Sequence, residues 1–286
     1  MSRSVGVAEA LAGLVPPWAL PVVLLATMLA EAPVIAALIL GRFWFRDRDA
    51  GLRLFAIATT ALIAVLVAKH AFALPRPPAE LRAPVSAIAP PFDVIYERLL
   101  DTDESGFPSG HTTLATAVFG GAAIDADDRR RWLAVAAVLV FVVGFSRVFL
   151  AVHFLADVAG GIVLGAGIVA AMRLADRWLG SPKGSLTLGV VAAGIGMSVV
   201  PGSGDVVAAA GTVFGAALIW LSVDLPSDPW PVSRTTAKYV ANAVAIAVVA
   251  ATPLLVFEAT LVLRFVVVVV ATSVAVAVVG FHPNAS

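Results

Sequence analysis

Long apolar runs, separated by short polar connections, make up most of the chain. A helix that spans a membrane needs about 20 mostly apolar residues. The pattern predicts nine such helices, of which the third and sixth are short, at residues 18–41, 51–73, 109–124, 132–150, 154–175, 186–201, 205–223, 238–256 and 259–281. We therefore expect an all-α, polytopic membrane helix bundle. Residues 1–17, which end at Pro16-Pro17, are expected to form an interfacial segment.

Composition agrees with this fold class and excludes several functions. Of the 286 residues, 60% are hydrophobic and only 13% are charged, whereas soluble domains carry about 25% charged residues. The formal net charge is zero, which argues against a nucleic-acid partner. The chain has no cysteine, so disulfides, thiolate catalysis and cysteine-ligated metals are excluded.

Basic residues concentrate in alternate connections, which the positive-inside rule assigns to the cytoplasm. These residues are Arg42, Arg46, Arg48, Arg53, Arg129, Arg130, Arg131, Arg173, Arg177, Lys183, Arg234 and Lys238. The N-terminus is then outside the cytoplasm. Two external connections nevertheless carry arginine: the proline-rich 74–108 loop with Arg76, and the connection after Arg147. An anionic ligand would explain cations on that side.

Three polar clusters lie at the predicted external ends of spans. The first holds Lys69 and, as the chain leaves the membrane, Arg76 between two prolines. The second is Ser109-Gly110-His111, at the start of the third span, where a capping hydroxyl, exposed N–H groups and the helix dipole form an anion site. Taken singly, each has a structural explanation: cations that snorkel to the interface, and simple helix capping.

The third cluster is Arg147, His153 and Asp157, within an otherwise apolar region. An ionisable residue in a membrane segment is by default a candidate functional residue. His153 and Asp157 are four positions apart and would share one face of a helix. Arg147 could alternatively mark a membrane boundary, with Asp157 only neutralising His153.

Together the clusters follow the order Lys-x6-Arg-Pro, Pro-Ser-Gly-His and Ser-Arg-x5-His-x3-Asp. This sequence resembles the type 2 phosphatidic acid phosphatase (PAP2) superfamily, which includes the vanadium-dependent haloperoxidases, and every defining position is present. The resemblance covers about residues 50–175. It implies a PAP2-like catalytic membrane core at residues 18–180, followed by additional transmembrane helices at 181–286. Many membrane members have three spans before the first motif, whereas two are predicted here.

The resemblance also implies roles for the residues and a reaction without a cofactor or metal. His153 would be the nucleophile that forms a phosphohistidine, Asp157 would orient it, and His111 would protonate the leaving oxygen and then activate water. The phosphoryl oxygens would be held by Lys69, Arg76, Ser109, Gly110 and Arg147. His70 has no counterpart in these motifs and is expected to lie at the interface.

These roles predict a multi-pass cell-membrane enzyme, with an extracytoplasmic site, that hydrolyses a lipid phosphate or polyprenyl diphosphate. The expected partners are that substrate and the surrounding membrane lipids, and the sequence leaves the oligomeric state open. Phosphotransfer to a lipid or sugar hydroxyl would use the same residues. A non-catalytic phosphate-binding transporter is the alternative from another class, and the intact nucleophile, acid and carboxylate argue against it.

Overall fold

The computed structural model describes residues 10, 16–100, 105–180, 182–222 and 261–280, and no strand occurs among them. The helices are α1 (Leu20–Met28), α2 (Ala32–Phe45), α3 (Arg48–Phe72), α4 (Phe92–Leu100), α5 (Gly110–Ile124), α6 (Arg129–Phe149), α7 (Leu155–Leu179), α8 (Lys183–Val199), α9 (Gly204–Ser222) and α10 (Leu261–Gly280). Short 3-10 helices occur at Pro17–Ala19, Ala79–Leu81 and Val85–Ala87. The predicted all-α class is confirmed. The predicted span 238–256 lies outside the described residues.

Three helices are long and apolar enough to cross a membrane: α3, α6 and α7. Helices α1 and α2 together give a fourth candidate. The predicted third span corresponds to α5, whose 15 residues rise only about 22 Å, less than the hydrocarbon thickness of about 30 Å. Shorter apolar helices lie at Lys183–Val199, Gly204–Leu218 and Leu261–Ser273. Length and composition therefore support three or four complete spans within the described part of the chain.

The first predicted span, 18–41, corresponds to two helices separated by a break rather than to one continuous helix. Helix α1 ends at Met28, α2 begins at Ala32, and the two are bent by 43°. Pro33 explains the break, because it has no N–H to bond the carbonyl of Leu29 and it disfavours helical geometry at the residue before it. The carbonyl of Glu31, at the break, accepts the N–H groups of Val34 and Ile35.

The chain divides into two compact units, and the first comprises residues 1–37 and 65–170. Within this unit α1 packs against α4 and α6, and α5 packs against α6. One buried cluster joins α1 to α4 and to the connection after α6, and it consists of Leu20, Leu24, Ile88, Tyr96, Leu150 and Val152. A second joins Ala30 to Ala115, Val140 and Val143. These contacts hold the α6–α7 connection in place.

The second unit comprises residues 38–64 and 171–286. In this unit α9 packs against both α8 and α10. Gly215 of α9 allows α10 to approach closely, because an added Cβ would lie 2.6 Å from the Val269 carbonyl oxygen. The Arg53 guanidinium binds Asp176 at 2.8 Å, and that carboxylate also accepts the hydroxyl of Ser185 at 2.9 Å. The boundary predicted at residue 180, between the catalytic core and the additional helices, stays a prediction.

Candidate active site

The connection between α6 and α7 is a buried, tightly bonded loop. The backbone N–H groups of Val152 and His153 both donate to the carbonyl of Arg147, each at 3.2 Å. Ala151 adopts a left-handed conformation with φ of 50°, as is common just past a helix end. His153 was predicted to share a helix face with Asp157, and this was wrong, because His153 lies in the loop before α7 begins. Its side chain is only 2% exposed.

Asp157 is nevertheless brought next to His153 by helix capping. Its Oδ2 accepts the backbone N–H of Phe154 at 2.9 Å, which is the return bond of a capping box at the start of α7. The same oxygen lies 3.5 Å from His153 Nδ1, slightly longer than a well-formed hydrogen bond. Because Nδ1 faces the carboxylate, Nε2 is the ring nitrogen that can attack an electrophile.

Ser109 is the N-cap of α5, and it forms hydrogen bonds both to α5 and to α7. Its hydroxyl oxygen accepts the N–H of Thr112 at 3.4 Å and the hydroxyl of Thr112 at 3.0 Å. Its backbone N–H donates to the carbonyl of Asp157 at 3.0 Å. The predicted capping role is confirmed, and the starts of α5 and α7 are joined through the backbone.

Two glycines of α7 allow this close approach. A Cβ on Gly161 would lie 2.8 Å from the carbonyl oxygen of Ser109, and one on Gly165 would lie 2.6 Å from that of Thr113. These neighbours are backbone atoms of α5, which cannot turn aside as a flexible side chain can. Small residues four apart are a common device for close packing of membrane helices.

The chain that leaves α3 reaches the same place. Gly106 donates its N–H to Leu74 at 2.7 Å, and a Cβ at Gly106 would lie 3.2 Å from Asp157 Oδ2 and 3.3 Å from Arg76 Cα. The Arg76 guanidinium donates to the carbonyl of Val152 at 3.2 Å. Arg76 therefore lies against the loop that carries His153.

Arg147 is buried, with 3% of its surface exposed. Its Nη1 donates to the hydroxyl of Thr27 on α1 at 2.8 Å, while its Nε has no hydrogen-bond partner in the described part of the chain. Thr27 was missed by the sequence analysis, since a threonine in an apolar span carries no distinguishing signal. A buried guanidinium N–H without a partner is suited to an anionic acceptor.

His111, in the first turn of α5, is paired with an acidic residue that the sequence analysis also missed. Its Nε2 lies 3.0 Å from Oε1 of Glu31, at the break between α1 and α2. The signal was present, because Glu31 is a carboxylate within an apolar run and is followed shortly by Pro33.

The electrostatics of the site favour a neutral His153 ring. Burial, followed by the charges around it, holds the pKa of His153 well below its ordinary value. The groups that act in this direction are Arg147, Arg76, Lys69 and His111. Lys69 is half-buried near the end of α3, whereas His70 beside it is exposed, as expected of an interfacial residue.

All of the predicted site residues belong to the first compact unit: Lys69, Arg76, Ser109, Gly110, His111, Arg147, His153 and Asp157. The structure thus brings the three sequence clusters into one unit, although the catalytic role of each residue stays a prediction. In the described residues, no group of three or more His, Asp or Glu side chains is placed to hold a metal ion.

Comparison with known proteins agrees with this geometry. A model of the PAP2 superfamily matches residues 49–180, which include all three clusters. Residues 49–180 belong to the PAP2 superfamily. No curated protein matches it significantly. Among solved structures, this PAP2 protein is similar to a transmembrane PAP2 type phosphatidylglycerolphosphate phosphatase from Bacillus subtilis, with 25% sequence identity and a TM-score of 0.50. The match covers 61% of this chain and 85% of that one.

The PAP2 resemblance and the helical membrane fold are therefore confirmed, and the comparisons support a phosphatase at the level of the family.

Proposed function

We propose that this PAP2 protein hydrolyses a phosphomonoester or diphosphate of a membrane lipid through a phosphohistidine on His153. The observation that carries the proposal is the placement of His153. It is buried, and its Nδ1 faces the carboxylate of Asp157. It lies in a loop whose backbone N–H groups donate to the carbonyl of Arg147, and whose Val152 carbonyl accepts a hydrogen bond from Arg76.

In the first step, Nε2 of His153 forms a bond to phosphorus while the bond from phosphorus to the leaving oxygen breaks. His111 gives that oxygen a proton, so that a neutral alcohol departs, or a phosphate if the substrate is a diphosphate. The ring of His153 acquires positive charge, which the carboxylate of Asp157 offsets. In the second step, water attacks phosphorus, gives a proton to His111, and the bond to nitrogen breaks, which releases phosphate and restores both histidines.

Charge on the transferring phosphoryl group is offset by fixed donors. Arg147 contributes a guanidinium whose Nε lacks a partner among the described residues, and Lys69 and Arg76 add positive charge. The N-terminus of α5 contributes backbone N–H groups at Gly110 and His111, since the first N–H groups of a helix have no partner within it. Preorganised donors of this kind are usually the largest single contribution to such catalysis. We propose that they serve without a metal.

The position of the loop supports a membrane lipid as the substrate. The His153 loop joins the ends of α6 and α7, two helices long and apolar enough to cross a membrane. The ends of such helices lie at the depth of lipid head groups. The Bacillus subtilis protein is described as a phosphatidylglycerolphosphate phosphatase, so a phosphomonoester on a glycerophospholipid is the first substrate to test.

The direct test is phosphate release from a panel of lipid mono- and diphosphates in the presence of EDTA. Wild type should release phosphate from at least one lipid, while His153→Ala and His111→Ala should release none and keep the wild-type melting temperature. Equal release by wild type and His153→Ala would overturn the mechanism. Mass spectrometry of the products with hydroxyl acceptors present would separate hydrolysis from phosphotransfer.

A further inference from the structure

Each histidine of the site has its own carboxylate. Asp157 faces His153 and lies four residues after it in the chain. The second carboxylate, Glu31, comes from a distant element, and its Oε1 lies 3.0 Å from Nε2 of His111. Glu31 also lies outside residues 49–180, the part of the chain that the PAP2 model matches.

The break between α1 and α2 is what delivers this carboxylate. Glu31 follows the end of α1, and its backbone carbonyl caps the start of α2 by accepting from Val34 and Ile35. One turn earlier, Thr27 accepts a hydrogen bond from Arg147. The break therefore supplies one polar contact to the proposed phosphate ligand Arg147 and one to the proposed acid His111.

We propose that Glu31 is a positioning residue for His111, which fixes its tautomer and stabilises its protonated form. The inference rests on the proposed function, since it assigns a partner to the general acid of that reaction. It parallels the carboxylate of a serine-protease triad, which holds an imidazole in the correct tautomer and stabilises the imidazolium without taking its proton.

The geometry assigns the two ring nitrogens of His111. Nε2 stays protonated throughout, and its N–H donates a hydrogen bond to the carboxylate of Glu31. Nδ1 is then the nitrogen that gives a proton to the leaving oxygen as the bond from that oxygen to phosphorus breaks. The neutral ring, still protonated at Nε2, has a lone pair at Nδ1 that accepts a proton from the attacking water. The carboxylate stays ionised in both steps.

The charges around His111 explain why such a partner is needed. Burial of His111, and after it the charges of Arg147 and Lys69, disfavour the positive form of its ring. An acid that must hold a proton in this cationic surrounding requires a compensating negative charge. Glu31 is placed to supply it, and Arg147 and Arg98 in turn attract the Glu31 carboxylate.

Substitutions at Glu31 separate this role from a merely structural one. Glu31→Gln keeps the shape and an oxygen acceptor but removes the charge, whereas Glu31→Asp keeps the charge on a shorter side chain. If Glu31 only anchors the helix break, Gln should be tolerated better than Asp. If instead the negative charge of Glu31 supports the acid, Asp should be tolerated better than Gln. The kcat of Glu31→Gln on a lipid monophosphate should then be lower than that of wild type by about 10²–10³-fold. Glu80→Gln, an exposed residue of the same unit, is the matched control.

The sharpest readout is the dependence on the leaving group. In farnesyl phosphate the leaving oxygen is that of an alcohol, which is strongly basic and needs a proton from the acid. In farnesyl diphosphate the leaving group is farnesyl phosphate, which is weakly basic and needs the acid far less. We expect Glu31→Gln to lower kcat on the monophosphate at least 10-fold more than on the diphosphate, with KM changed less. Where wild type cleaves only one of the two, the order of the Asp and Gln variants on that substrate decides.

Equal losses on both substrates, or wild-type kcat in Glu31→Gln, would overturn the inference and leave the proposed function intact. Failure of wild type on every lipid phosphate is a separate result, since it would overturn the proposed function and with it the role given to Glu31.

Discussion

The backbone N–H of Ser109 donates to the backbone carbonyl of Asp157 at 3.0 Å. This bond joins the second and third sequence clusters through main-chain atoms, so side-chain rotation cannot break it. The helix N-terminus proposed to bind phosphate and the carboxylate that faces the proposed nucleophile, His153, are thereby held in one register. Geometry fixed to a fraction of an ångström is what positioned catalysis requires.

Gly165 is expected to be essential for that register. A Cβ there would lie 2.6 Å from the Thr113 carbonyl oxygen, so Gly165→Ala should force α7 away from α5, at a cost of about 1–3 kcal/mol typical of overpacking. Both the melting temperature in detergent and phosphate release should fall. Gly167→Ala, on the same helix with nothing within 4 Å, should match wild type. If the two variants behave alike, the proposed close contact does not govern the site.

Thr27 is expected to support anion binding through Arg147. Thr27→Val keeps the shape but removes the acceptor for Arg147 Nη1, and hydrogen bonds to charged groups contribute about 1.5–3 kcal/mol. We expect the inhibition constant of orthovanadate, a phosphate analogue, to rise about 10-fold, with kcat changed less. Thr59→Val, which removes only a bond to the residue's own helix, should leave it unchanged. An unaltered constant in Thr27→Val would argue against the role of this contact.

The acid limb of the pH dependence of kcat/KM should reflect the ionisation of His153. Its pKa is lowered by burial and by the surrounding cations, including Lys69, and only the neutral ring can attack phosphorus. In Lys69→Met, loss of that cation raises the pKa of His153, so the acid limb of kcat/KM should move to higher pH. The ionisation of the substrate is common to both enzymes, so the difference between them isolates the protein. A limb that stays fixed or moves to lower pH would contradict this assignment.

The membrane side can be tested directly because the chain has no cysteine. Ser86→Cys lies in the 74–108 loop and Asp127→Cys in the connection between α5 and α6, and both positions are exposed. In intact cells a membrane-impermeant maleimide should label Ser86→Cys and should label Asp127→Cys only after lysis. The opposite pattern would place the candidate site on the cytoplasmic side.

Local patterns in the sequence predicted much of the fold and site. Apolar runs located α3, α6 and α7, and the spacing of polar residues identified the clusters around Lys69, Ser109 and His153. Contacts between distant residues could not be predicted in this way. Glu31 meets His111 across 80 positions and Thr27 meets Arg147 across 120. Both contacts depend on the break between α1 and α2. Hydropathy averaged over a window of residues does not detect this break, because the whole run is apolar.

The central claim is that His153 becomes phosphorylated. The enzyme should be mixed with a ³²P-labelled lipid phosphate that it cleaves, quenched within milliseconds and analysed for protein-bound label. We predict label that is stable to alkali and lost in acid, as expected of a phosphoramidate, on a peptide containing His153 and absent from His153→Ala. Rapid turnover by wild type with no such label, or label retained in His153→Ala, would contradict the account.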